Sequence, residues 1–195
     1  MRIIGLTGGI GMGKSTAAAA FRRARIPVFD ADATVHALQA RGGGAVRAIE
    51  RAFPKTVQNG AIDREALRRA VLGNPDALRR LEAIVHPLVR EAERAFLARA
   101  RRGGARAVVL DIPLLFETGG EARVDCVVVV SAPRGVQAAR LRRRRQMSER
   151  QIAAVIARQM PDREKRRRAD VVVRTGLSRH YALGTLRRLI REFRQ

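Results

Sequence analysis

The sequence predicts an α/β fold with a parallel sheet and a helical insertion. Three observations predict it. The N-terminal stretch reads strand, glycine-rich turn, helix, strand, the order of a βαβ unit that favours parallel strands. Two later runs, Ala107-Val108-Val109-Leu110-Asp111 and Val127-Val128-Val129-Val130, are continuously apolar, as strands covered on both faces are. Between these groups lies a long Ala/Leu/Arg-rich stretch with helical spacing and no strand signal.

In chain order, residues 3–7 form a short buried strand, and a glycine-rich turn leads into a helix over 15–25. Residues 26–30 form a second strand that ends in Asp30-Ala31-Asp32. Helical spacing then covers 34–41, 44–53, 63–72 and 75–102, with turns at Gly42-Gly43-Gly44 and Asn59-Gly60. Asp63 and Asp76 fall near helix starts, where a carboxylate suits the helix dipole. After the two apolar strands, helices are expected over 133–145 and 148–158, the second capped by Ser148. Residues 171–173 form the last strand and 178–193 the last helix. No internal repeat is present.

A chain of 195 residues suits one domain, or one core with a modest insertion, and its 46% hydrophobic content is ordinary for a globular protein. No apolar run has the length of a membrane span, and the N-terminus enters a strand pattern without signal-peptide architecture. The single cysteine, Cys126, excludes an intramolecular disulfide and reads as an apolar core residue of a reducing, cytoplasmic compartment. The net charge is +22, and of 40 basic residues only Lys14, Lys55 and Lys165 are lysine. Such a charge steers anionic ligands and favours nonspecific adhesion to nucleic acid at low salt. It does not predict a nucleic-acid function. The arginines are spread along the chain, one Tyr and no Trp are available for base stacking, and no helix-turn-helix, zinc-finger or RNP signature occurs.

The chemistry is carried first by Gly8-x-x-x-x-Gly13-Lys14-Ser15, which matches the phosphate-loop pattern between a strand and a helix. Glycines let successive backbone N–H groups turn inward toward phosphate oxygens, and the helix adds the positive end of its dipole. Gly11, Met12, Gly13, Lys14, Ser15 and Thr16 are therefore the expected ATP-binding residues. Lys14 is placed to reach the β- and γ-phosphates, Ser15 to ligate Mg²⁺, and Thr16 to lie near the α-phosphate. Met12 occupies a variable position, and its side chain is expected to point outward. A GTPase would carry an Asn-Lys-x-Asp base-reading motif, and none is present. The loop, helix and Asp-x-Asp in succession point instead to a small-metabolite kinase.

Here the chain resembles the dephospho-coenzyme A kinase family. The resemblance rests on Gly5-Leu6-Thr7-Gly8-Gly9-Ile10-Gly11-Met12-Gly13-Lys14-Ser15-Thr16, Pro27-Val28-Phe29-Asp30-Ala31-Asp32, Leu81-Glu82-Ala83-Ile84-Val85-His86-Pro87 and Asp111-Ile112-Pro113-Leu114-Leu115-Phe116-Glu117. Gln159-Met160-Pro161, followed by Lys165 and Ala169-Asp170, extends it toward the C-terminus. It implies ATP- and Mg²⁺-dependent phosphorylation of the ribose 3′-hydroxyl of dephospho-CoA, giving CoA and ADP, with no specific nucleic-acid or membrane partner. It also implies a P-loop three-layer core (about residues 1–40, 104–139 and 166–195), a helical acceptor-binding insertion (about 41–103) and a helical lid (about 140–165). A nucleoside monophosphate kinase with a different acceptor pocket and a nucleic-acid-associated P-loop ATPase are the alternative readings.

Asp32 follows a strand at its carboxyl end, where ligands gather in open α/β sheets, and the resemblance makes it the catalytic base for the acceptor hydroxyl. The bland alternative is that it merely caps the next helix, as Thr34 could also do. Asp30 reads as a supporting carboxylate. Asp111 ends an apolar strand and stands open between holding Mg²⁺ through water, capping the turn after it and contacting substrate. Substrate contacts are implied at Thr7, Asp32, His86, Leu114, Phe116 and Glu117, although the Pro113–Glu117 run is apolar enough to be plain core. His86 alone among the three histidines has family support. Arg140 and Arg144 fall where the family places lid arginines, which stabilise charge on the transferring phosphoryl group. Two stretches depart from the family pattern, Arg145-Gln146-Met147-Ser148 after the arginine run and Arg174-Thr175-Gly176 on the adenine side.

Overall fold

The computed structural model describes residues 1–145, 148–157 and 159–194. In chain order its elements are β1 (Arg2–Thr7), α1 (Lys14–Arg23), β2 (Val28–Asp30), α2 (Ala31–Gln39), α3 (Val46–Ala52), β3 (Val57–Gln58), β4 (Ala61–Ile62), α4 (Arg64–Val71), α5 (Pro75–Arg102), β5 (Ala107–Asp111), β6 (Cys126–Ser131), α6 (Arg134–Arg145), α7 (Glu149–Ala157), α8 (Asp162–Arg167), β7 (Val171–Arg174) and α9 (Arg179–Arg194). They divide into two compact units, one of Met1–Asp30 with Arg99–Gln195 and one of Ala31–Ala98.

The first unit is built on five parallel strands in the order β2-β5-β1-β6-β7. β1 is central because it pairs with β5 on one side and β6 on the other. The continuous apolar runs follow from this placement: Val108, Val109, Leu110, Val128, Val129 and Val130 are all fully buried, since both faces of the sheet are covered. Successive strand residues point to opposite faces. Ile4, Leu6, Val109, Val128 and Val130 share a core with Phe21 of α1 and with Leu186, Ile190 and Phe193 of α9. Val127 and Val129 pack on the other side against Leu115 and Phe116, flanked by Met160 and Ala169. Burying each such side chain contributes about 1.5–3 kcal/mol. Because the strands are parallel, their carboxyl ends share one edge, and Thr7, Asp30, Asp111 and Ser131 end their strands along it.

The short segment Asp162–Arg167 forms a helix, α8, that the sequence spacing does not announce. α7 begins with a reciprocal cap: the Gln151 amide donates to Ser148 Oγ at 3.3 Å, and the Ser148 amide donates to Gln151 Oε1 at 2.9 Å. Gln146, Met147 and Arg158, all within the expected lid, lie outside the described residues. Among the described residues, no helix is long and apolar enough to cross a membrane.

The second unit has its own core, formed by Val46 and Ile49 of α3, Phe53 just after it, Ile62, Leu67 and Val85. The expectation of helices without strands is corrected here by the antiparallel pair β3 and β4. Asn59 and Gly60 close it with φ of 51° and 76°, the mirror-image turn that suits strand twist. Strands this short carry no alternation for the sequence to reveal. Asp63 caps α4, accepting from the Glu65 and Ala66 amides at 3.0 and 3.1 Å. Asn74 caps α5 by accepting from the Ala77 amide at 3.0 Å, and Asp76 stands in the first turn. α2 begins directly after β2, earlier than its spacing suggests, so Asp32 stands inside the first turn rather than at a cap.

Candidate active site

β1 runs at Thr7 into Gly8, and α1 begins at Lys14. The turn between them needs glycine. Gly11 and Gly13 have φ of 76° and 97°, values that strain a residue with a Cβ. A Cβ on Gly8 would stand 2.5 Å from the Val130 carbonyl oxygen. The start of α1 closes the loop, so the positive end of its dipole lies there, and Ser15 and Thr16 are exposed beside it.

Distant side chains brace this loop. The Ile10 amide donates to Gln159 Oε1 at 2.9 Å, and Gln137 Nε2 donates to the Ile10 carbonyl at 2.7 Å. Thr175 Oγ1 donates to the Met12 carbonyl at 2.6 Å. Arg140 donates to the Gly11 carbonyl at 3.3 Å, to Thr175 Oγ1 at 3.0 Å and to the Thr175 carbonyl at 2.7 Å. The departure at Arg174-Thr175-Gly176 thus forms part of the loop's support. Met12 corrects an expectation: its side chain turns inward, is 3% exposed, and its sulfur accepts from the Ala132 amide at 3.1 Å. The loop passes close to the end of β6, so the side chain fills the space above the sheet core instead of reaching solvent.

Lys14 Nζ pairs with Asp111 Oδ1. This ion pair is none of the three roles left open for Asp111. Asp111 ends β5 with only 5% of its side chain exposed. The parallel register sets Asp30 beside it, and Asp30 itself pairs with Arg22 at 3.3 Å. Burial pushes the Asp111 carboxyl above its ordinary range. Lys14 pulls it back, through its charge and its hydrogen bond, but the Asp30 charge adds to the rise and the net shift stays upward.

Thr7 departs from the substrate contact expected of it. It is fully buried, and its hydroxyl donates to the Pro113 carbonyl at 2.9 Å. The Pro113–Glu117 stretch is part core and part surface. Leu115 and Phe116 are buried, and Leu114 is 43% exposed. The Arg168 guanidinium covers the Phe116 ring at 4.6 Å from its centroid. Glu117 Oε1 meets Lys165 Nζ at 2.8 Å and accepts from the Met160 amide at 3.1 Å. Burial pushes the Glu117 carboxyl up. The hydrogen bonds from Lys165 and from the backbone amides, with the Lys165 charge, outweigh that and hold it below its usual value.

Asp32 and His86 belong to the second unit, each exposed, on α2 and α5. His36 lies 3.5 Å from an Arg64 nitrogen. Arg144 is on α6, one turn beyond Arg140, and its side chain lies outside what the structure describes. Sequence reasoning gave no role to Gln137, Gln159, Thr175 or Lys165. One signal was present for Lys165: in a chain with three lysines among 40 basic residues, a lysine is a chemical choice.

The geometry agrees with what the chain is similar to. The family model described as "CoaE: Dephospho-CoA kinase" matches residues 2–178. A dephospho-CoA kinase of Paramagnetospirillum magneticum is 64% identical over 166 residues, which are 85% of this chain and 78% of that protein. One of Gluconobacter oxydans is 52% identical over 199 residues, covering 100% of this chain and 99% of the relative. A crystal structure from Thermus thermophilus superposes with a TM-score of 0.87 at 39% identity, covering 98% of this chain and 97% of the other. A family model spanning most of the chain and relatives of more than 50% identity agree, and the chain belongs to the dephospho-CoA kinase family.

Proposed function

We propose that the chain transfers the γ-phosphoryl group of ATP to the ribose 3′-hydroxyl of dephospho-CoA, giving CoA and ADP, the last step of coenzyme A biosynthesis, in the cytoplasm. One observation carries the reading beyond family membership: Thr7, the residue before the phosphate loop, is bonded to Pro113, the first residue of the family's acceptor stretch. This bond supports placing the donor cradle and the acceptor wall on one sheet edge.

Lys14 draws the β- and γ-phosphate oxygens once it leaves Asp111, and its charge opposes the charge that builds in the transition state. Ser15 and Asp111 fit Mg²⁺. They offer oxygen only, and no cluster of three His, Cys, Asp or Glu exists among the described residues, which suits an ion that keeps waters and phosphates as its other ligands. When bound, Mg²⁺ neutralises phosphate charge. Asp32 orients the acceptor hydroxyl and takes its proton. Arg140 keeps the loop in shape, and Arg144 is the candidate for the transferring group. Leu114, Phe116 and His86 are the candidate acceptor contacts.

Acceptor-dependent ADP release tests the reading. ADP is expected with dephospho-CoA and not with nucleoside monophosphates or single-stranded nucleic acid. Turnover stimulated only by nucleic acid, or equal with AMP, overturns it.

A further inference from the structure

Lys165 is 1% exposed, among the most deeply buried large side chains of the chain. A lysine is rarely buried so fully without a compelling partner. It has two: Glu117 Oε1 at 2.8 Å and the Pro113 carbonyl at 3.2 Å. The Pro113 carbonyl also accepts from Thr7 at 2.9 Å, so two buried donors converge on one oxygen. Together they fix both ends of the Pro113–Glu117 stretch. The same chain segment supplies Gln159 to the phosphate loop and the Met160 amide to Glu117.

An arginine does not substitute simply at this position. The guanidinium is a wide planar fork, whereas the ammonium is a compact charge with three donors free to turn. It can serve a carboxylate and a carbonyl that lie in different directions. With 37 arginines available as the chain's ordinary base, the lysine matches a site that needs the smaller ion.

We propose that Lys165 is a positioning residue for the acceptor side: by holding Pro113 and Glu117 it sets the wall on which dephospho-CoA is seated. It touches no substrate, since it is closed off from solvent. The inference rests on the proposed function, because it assigns the Pro113–Glu117 stretch to the acceptor.

The test is steady-state kinetics of wild type, Lys165→Met and Lys165→Arg, with each substrate varied in turn, beside thermal melts. Lys165→Met is expected to raise KM for dephospho-CoA by at least about tenfold, the size of one lost charge-assisted hydrogen bond, while KM for ATP stays within about twofold. Lys165→Arg keeps the charge beside Glu117 and is expected to recover most of the melting temperature without recovering the acceptor KM. A purely structural lysine would give the opposite: full kinetic recovery in Lys165→Arg, or both KM values rising together. Either outcome overturns the proposal, as does a normal acceptor KM in Lys165→Met or the failure of both variants to fold. Wild type that does not phosphorylate dephospho-CoA at all refutes the proposed function instead, a result distinct from all of these.

Discussion

Thr175→Val isolates the clamp on the phosphate loop. Valine has nearly the same shape as threonine, so no cavity opens. What disappears is the hydroxyl that donates to the Met12 carbonyl at 2.6 Å and accepts from Arg140 at 3.0 Å. Arg140 keeps the Thr175 and Gly11 carbonyls, whereas the Met12 carbonyl loses that donor. Two partly buried hydrogen bonds at about 0.5–1.5 kcal/mol each make a loss of about 1–3 kcal/mol. If the ordered loop bears all of it, kcat/KM for ATP falls about 5- to 150-fold, at 1.4 kcal/mol per decade. The assay is coupled ADP release with ATP varied at saturating dephospho-CoA, with the acceptor KM as the internal control. That control is expected to hold, because Pro113 and Glu117 are tied by other groups. An unchanged kcat/KM for ATP refutes the clamp. A lowered melting temperature with normal kinetics would reduce Thr175 to a stabilising residue.

Asp32→Asn is expected to lower kcat by about 10²- to 10⁴-fold while ATP binding, measured by titration, stays intact, because only proton acceptance is lost; near-normal kcat removes Asp32 from the base role. Gly176→Ala places a Cβ 2.2 Å from Pro133 Cδ, a ring that cannot turn aside. Overpacking of this kind costs about 1–3 kcal/mol, seen as a melting temperature lower by roughly 2–12 °C; no change would mean the two loops are free to part. Glu117 has its carboxyl lowered in the folded state, so at acid pH the unfolded chain binds the extra proton and stability rises with pH. Its contribution is complete above about pH 4.5 and is lost as pH falls through the depressed folded value. Chemical denaturation across that window is expected to show a shallower acid limb in Glu117→Gln than in wild type.

The parts of the site that sequence patterns express are those imposed by backbone geometry. Gly8, Gly11 and Gly13 are legible because no other residue fits their φ or their clearance. The strands at 107–110 and 127–130 are legible because burial on both faces leaves only apolar residues in these runs. Asp111 is legible as a strand-end carboxylate, but its partner Lys14 lies 97 residues away, and only the register of β5 on β1 brings them together. The inward turn of Met12 is not legible, because the loop pattern constrains the backbone at that position and says nothing of the side chain. Gln137, Gln159 and Thr175 are ordinary polar residues whose value lies in which carbonyl or amide they meet, and no periodicity encodes that. β3 and β4 are not legible, because two residues cannot show an alternation.

The order of the strands sets when this loop can work. β1 is made first, yet it is central, so no ladder bond can form on it until the ribosome has reached Ala107. The clamps come later still: Gln159 is 149 residues beyond Ile10, and Thr175 is 163 beyond Met12. At roughly 5–20 residues per second, the nucleotide cradle waits about 8–33 s after its own residues are made before its last support exists. A nascent chain in that interval lacks the Gln159 and Thr175 clamps on its phosphate loop, so nucleotide is expected to stabilise it less than the finished chain. Full ATP affinity is therefore expected only once the C-terminal third has been made and docked.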